Sequence, residues 1–238
     1  MQLDLVRALA LAGACWLGAA GTALAAGNET LDLDTGEAAT AVGADAAAAA
    51  QQPAEPATID GFRSARFGMT ADEVRAAIEA DFGVTADQVE AGENALEKTT
   101  NLRIAVPGLM PEGGTARVVY IFGYESHSLI QVNIVWGAAE DSTPDGIRNA
   151  ASLLVGYFRG QGYDPEKTAV GVPLEGGNLL AFYAEDADGS SVTLSIAQRQ
   201  GEAAAEGEAA PEAALVMQLA YIADFANPDV FKLAPGSF

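Results

Sequence analysis

The sequence predicts an α+β protein: an antiparallel sheet with two helices packed on one face, built from two degenerate αβββ repeats. Three observations carry this expectation. Two segments, from Thr70 and from Thr143, open on a helix cap and continue with apolar residues at helical spacing. Each is followed by short runs rich in β-branched and aromatic residues, bounded by Gly, Pro, Asn, Asp or Ser. Short identities also recur in the same order in both halves. Glu97-Lys98-Thr99 echoes Glu166-Lys167-Thr168, Glu112-Gly113-Gly114 echoes Glu175-Gly176-Gly177, and the latter offset aligns Tyr120 with Tyr183 and Leu129 with Val192.

The chain divides by composition before it divides by element. Residues 1–25 read as a signal peptide, with Arg7, an apolar run from Ala8 to Ala20, and the small-residue cleavage site Ala23-Leu24-Ala25. A second reading makes Leu11-Ala12-Gly13-Ala14-Cys15 a lipoprotein box with Cys15 acylated. Both readings export the protein, to the periplasm or the medium. The apolar run is too short and glycine-rich for a stable membrane span. Residues 26–58 form an acidic Ala/Pro-rich spacer, with Ala46 to Ala50, Pro53 and Pro56. It carries too little apolar area per residue to offset about 1–2 kcal/mol of backbone entropy each, so it is expected to be disordered.

The α+β domain is expected at 59–223, with a first half 59–138 and a second half 139–223. Phe62 to Phe67 predicts one short strand. Thr70 and Glu73 then make a capping box, Asp72 places negative charge at the helix N-terminus, and Val74, Ala77, Ile78 and Phe82 share one face. Gly83 stops the helix. Residues 84–98 read as a polar connection. Strands are expected at Thr99–Val106, Ala116–Gly123 and Leu129–Trp136, the last with Ile130, Val132, Ile134 and Trp136 on one face. Tyr124 to Ser128 makes the second and third a hairpin.

In the second helix Thr143 is the cap, Pro144 takes the first position, and Asp145 sits in the first turn. Ile147, Ala150, Ala151, Leu154 and Phe158 form its buried stripe, and Gly156 reads as a point of close approach to the sheet. Further strands are expected at Lys167–Val172, Asn178–Glu185, Ser191–Gln198 and Ala214–Ile222. Asp188-Gly189 is a hairpin turn, 201–213 an acidic Ala-rich loop, and 224–238 an irregular tail.

Composition limits the function. The formal net charge of −21 repels phosphate backbones and anionic headgroups, which argues against nucleic acid as a partner. Cys15, the one cysteine, lies in the leader, so the exported body has no disulfide. His127, the one histidine, lies in a turn beside Glu125, Ser126 and Ser128, where neighbouring side chains diverge rather than converge into a triad. Zinc sites want several Cys or His ligands. Asp186-Ala187-Asp188-Gly189 lacks the later ligands of a calcium loop, and the two Glu-Gly-Gly stretches lack the Lys-Ser/Thr of a phosphate cradle. The sequence therefore assigns no catalytic, cofactor-binding or metal residue. Tyr120, Trp136 and Tyr183 stand as partner contacts, with sheet packing as the competing role.

The opening Gly68-Met69-Thr70-Ala71-Asp72-Glu73-Val74, with the element order behind it, resembles the SmpA/BamE outer-membrane assembly lipoproteins and the related β-lactamase-inhibitor-like repeats. That resemblance implies non-enzymatic protein binding in the envelope, with an envelope protein as partner. It transfers no functional residue, and the chain departs from the lipoprotein members in its poor lipobox. The functional expectation is an exported binding or cell-envelope accessory protein acting through an open sheet face and sheet edges. The alternatives are an exported hydrolase using acidic residues and a secreted enzyme inhibitor.

Overall fold

The computed structural model describes residues 57–139, 141–199 and 214–232. The leader, the spacer up to residue 56, the loop 201–213 and the tail beyond residue 232 lie outside the described residues.

Two capped helices form where the cap signals place them. Helix α1 (Ala71–Phe82) starts on a closed capping box: the Thr70 amide donates to the Glu73 carboxylate at 2.8 Å, and the Glu73 amide donates to Thr70 Oγ1 at 3.4 Å. Gly83 ends it in the left-handed conformation. Helix α2 (Pro144–Arg159) starts at Thr143, whose hydroxyl accepts from the Gly146 amide at 3.1 Å. A Cβ at Gly146 would stand 2.2 Å from the Glu112 carbonyl oxygen, so glycine lets this first turn meet the preceding loop.

The strands, in chain order, are β1 (Gly61–Phe62), β2 (Ala65–Arg66), β3 (Glu90–Asn94), β4 (Thr99–Val106), β5 (Ala116–Phe122), β6 (Leu129–Trp136), β7 (Thr168–Pro173), β8 (Leu179–Glu185), β9 (Ser191–Arg199) and β10 (Ala214–Ile222). β1 and β2 form a small hairpin. The other eight make one antiparallel sheet in the order β3-β4-β5-β6-β10-β9-β8-β7. Each helix is thus followed by four strands, and the two sets meet at β6 and β10.

Register sets the core. Ile104, Val118, Ile134, Leu219, Leu194 and Phe182 lie side by side across six strands, and none is more than 3% exposed. Both helices cover this face. Phe158 of α2 stacks on Phe182 at 5.3 Å and meets Tyr221 edge-on, while Phe62 bridges Tyr221 to Phe82 of α1. The opposite face, which carries Asn101, Arg103, Gln131, Asn133, Thr193 and Tyr183, is covered by no helix among the described residues.

Four details depart from the sequence expectation. The stretch 84–98 contains β3, an edge strand whose residues Glu90, Ala91 and Glu93 are exposed and so lack an apolar alternation. Phe62 to Phe67 is a hairpin, because Arg63 turns the chain with φ of 54°. In β6 the pairing shifts so that Leu129 opposes Phe122 and Gln131 opposes Ile121, leaving Ile130 as the extra residue of a bulge. Leu129 is 1% exposed and takes the core place expected of Ile130. Finally, the sequence echoes match β4 with β7 and β5 with β8, whereas strands equidistant from the β6–β10 seam are β4 with β8 and β5 with β9.

The tail from residue 224 to 232 has no helix or strand but is anchored. Phe225 packs edge-on against Tyr183 at 5.8 Å, and the Asp229 carboxylate accepts from the Glu125 and Ser126 amides at 3.0 and 2.9 Å. The Phe231 amide donates to the Glu97 carbonyl, and the Lys98 ammonium sits 3.9 Å from the Phe231 ring centroid.

Candidate functional site

The domain entrance and the end of α2 together border a cleft of about 260 Å³. Its position follows from one anchor. The buried Asp186 carboxylate accepts from the Ile59 amide at 2.8 Å and from the Asp188 and Ser190 amides at 3.0 and 2.9 Å. That ties the domain's first residues to the β8–β9 turn and lays the β1–β2 hairpin beside α2. Nearby, Lys167 Nζ donates to Glu185 at 2.7 Å and to the Asp186 carbonyl at 2.8 Å.

One wall of the cleft comes from residues 58–63 with Arg66, and the other from Tyr157, Phe158, Gln161 and Tyr163, with Tyr221 between them. Burial first, then the nearby Tyr157 and Asp186, pushes the Tyr163 phenol up to about 12, and burial moves Tyr221 upward as well. Both are therefore neutral donors at physiological pH. Arg66 pairs with Asp60 at 3.0 Å, which satisfies the single acid among the described lining residues. Arg63 differs. Its guanidinium lies 4.8 Å from the Phe82 ring centroid and 5.8 Å from that of Phe62, and it forms no ion pair among the described residues. Its φ of 54° is uncommon for a side-chain-bearing residue. The rings hold a cation at the cleft in a chain of net charge −21. The chemistry on offer is recognition of an anionic group beside a flat or apolar one.

The residues singled out from sequence lie elsewhere. Tyr120 is fully buried on the helix-covered face, Trp136 is 1% exposed on the same face, and Tyr183 is 5% exposed on the opposite one under Phe225. Burial of Tyr120 pushes its phenol upward, and among the described residues neither its hydroxyl nor Trp136 Nε1 has a hydrogen-bond partner. Tyr183 donates to Glu185 at 3.3 Å, and burial pushes it up to about 12. Tyr120 and Trp136 share one face of the sheet and Tyr183 lies on the other, because alternate strand residues point to opposite faces, and all three are buried.

No family model, no curated protein and no solved structure matches the chain. His127 is an exposed turn residue with φ of 53°, and Asp186 spends both carboxylate oxygens on backbone amides. Among the described residues no three His, Cys, Asp or Glu side chains group to hold a metal, and no helix is long and apolar enough to cross a membrane.

Sequence reasoning missed Arg63, Arg66, Tyr157 and Tyr163. Two signals pointed to the first three. Arg63 and Arg66 are closely spaced cations in an acidic chain, and Tyr157 falls off the apolar stripe of its helix.

Proposed function

We propose that this chain is an exported, non-enzymatic binding or cell-envelope accessory protein that acts through protein contacts, with the entrance cleft as its contact site. The observation that carries the reading is Arg63, a cation held over two rings beside an aromatic-walled cleft and forming no ion pair among the described residues. A carboxylate next to an apolar or aromatic residue on a partner protein complements it. The resemblance of Gly68 to Val74 to SmpA/BamE-like domains supports the same class of function.

The contact is made by side chains rather than by strand addition. Edge strand β3 is blunted by Glu90 and Glu93, and edge strand β7 by Gly171 (φ 65°) and Pro173. We further infer that the two halves descend from one duplicated unit of a helix and four strands. The mirrored order about β6 and β10 supports it.

The test is a pull-down from envelope extract, comparing the exported chain with Arg63→Glu and Tyr163→Ala. A partner retained by the parent chain and lost by at least about tenfold with Arg63→Glu is expected. Recovery of no partner, together with turnover in a hydrolase panel, would overturn the reading in favour of the hydrolase. One-to-one inhibition of a captured enzyme would identify the inhibitor.

A further inference from the structure

Helix α2 buries one face and presents another that no described element covers. Asp145, Asn149, Ser152, Leu153, Gly156, Tyr157 and Gly160 are all exposed and recur at helical spacing. Leu153 is 57% and Tyr157 59% exposed; among the described residues Leu96 is the one other large apolar side chain so exposed. Gly156 lies between them, and a Cβ added there would meet no atom within 4 Å. A glycine at an open helix position costs about 1 kcal/mol against alanine. Packing among the described residues does not explain it, so the expected closeness of Gly156 to the sheet is not its role. What a bare backbone beside Leu153 and Tyr157 permits is the near approach of something from outside.

We infer that this face docks on the same face of a second copy of the chain, with the two α2 helices antiparallel. Charge selects that occupant. Two molecules of net charge −21 repel over most of their surface. On α2, however, Asp145 is accompanied by Arg148 and Arg159, whereas α1 carries Asp72, Glu73, Glu79 and Asp81 against Arg75. α2 is therefore a place where two copies can meet without like-charge opposition.

The pattern is also self-complementary. Asp145 and Arg159 stand at equal sequence distances on either side of Ser152. A two-fold axis beside Ser152 sets Asp145 of each copy, which already pairs with Arg148 of its own helix at 2.6 Å, opposite Arg159 of the other, and Arg148 opposite Gly156 and Tyr157. Leu153 packs near the axis, where its counterpart lies. One helix pair covers less than the about 1,000 Å² of a stable interface, so the dimer is weak and depends on concentration.

The experiment is sedimentation velocity on the full chain from about 1 µM to about 1 mM, with each variant's fold checked by circular dichroism. The parent chain is expected to move from monomer to dimer over this range. Leu153→Glu, at a position that is not part of the cleft lining, is expected to weaken the dimer at least about tenfold. Gly156→Gln is expected to raise the melting temperature, glutamine being the better helix former, while weakening the dimer; a purely structural role cannot give that opposite pair of signs. Asp145→Arg weakens the dimer, and adding Arg159→Asp restores it.

Ser152→Cys in a Cys15→Ala background is expected to form an inter-chain disulfide, whereas Arg75→Cys on α1 is not. A chain monomeric throughout, or a dimer indifferent to Leu153→Glu and to the charge reversal, overturns the inference. So does a different protein occupying α2 while the chain stays monomeric. The two surfaces share Tyr157, but sedimentation of the purified chain involves no cleft partner and the variants leave the cleft lining unchanged, so the two proposals fail separately.

Discussion

Aspartates organise the connections of this chain more than they charge its surface. Asp81 accepts from the Ser64 amide and hydroxyl, Asp141 from those of Thr115, Asp229 from two amides of the β5–β6 turn, and Asp186 from three. Asp186 holds the domain entrance and is buried, so Asp186→Ala strands the Ile59 and Ser190 amides. The expected loss is about 2–3 kcal/mol in urea unfolding. A change under about 0.5 kcal/mol would remove the anchor from the account of the cleft.

The same chemistry sets the response to acid. The Thr70 amide and hydroxyl lower the Glu73 carboxyl, and the Thr115 hydroxyl and amide lower Asp141. At Asp229 partial burial raises the carboxyl, but donors at Ser126 and Glu125 and the nearby His127 outweigh it and leave it lowered. A group whose folded value lies below its unfolded one contributes stability above the unfolded value, and loses it as pH falls through the folded value. The urea midpoint should therefore hold from neutrality down to about pH 4.5 and decline below about pH 4. The combined Glu73→Gln, Asp141→Asn and Asp229→Asn variant should flatten that decline. An unchanged slope counts against the carboxylate–amide contacts. The Thr70–Glu73 contact was legible because its partners are three residues apart. Asp229 and Ser126 are 103 apart, and no local pattern announces a pairing across that distance.

At the scale of elements, legibility followed burial. Strands β4, β6 and β10 appear at the expected residues; β4 and β10 alternate against a packed face, and β6 was marked by its run of β-branched residues. β3 was invisible because an edge strand with exposed glutamates has no apolar period to read. α2 shows the other limit. Its buried stripe was legible, but the meaning of its glycines was not, because spacing alone cannot say which glycine faces protein and which faces water. Gly146 and Gly156 separate the two cases. Gly146→Ala drives a Cβ against the Glu112 carbonyl oxygen and should destabilise by about 1–3 kcal/mol in urea unfolding. Gly156→Ala meets nothing and should stabilise by about 0.5–1 kcal/mol. Equal effects at the two positions would contradict the placement of α2 on the sheet.

For the whole molecule the decisive contact is the seam between β6 and β10. Six residue pairs, from Met217 with Trp136 to Ile222 with Gln131, join strands more than 80 positions apart in sequence. The second set of strands ends at the seam, so the sheet closes only after β10 has been made. The closing pairs run through the core row, with Leu219 against Ile134, and beneath it both helices share Tyr221 and its aromatic neighbours. Neither half can bury its inner strand without the other, since an unpaired β6 or β10 would leave a row of amides and carbonyls in a dry core. The halves are therefore expected to unfold as one unit, duplicated or not. Trp136 reports directly on this, because it lies on the seam and Trp16 is the chain's one other tryptophan. In a Trp16→Phe variant the urea transition followed by Trp136 fluorescence should coincide with that followed by far-ultraviolet circular dichroism. A fluorescence transition at clearly lower urea would mean that the seam opens first and that the halves are separate folding units. Leu219→Ala should move both transitions together, by about 2–4 kcal/mol, because the cavity it leaves belongs to both halves at once.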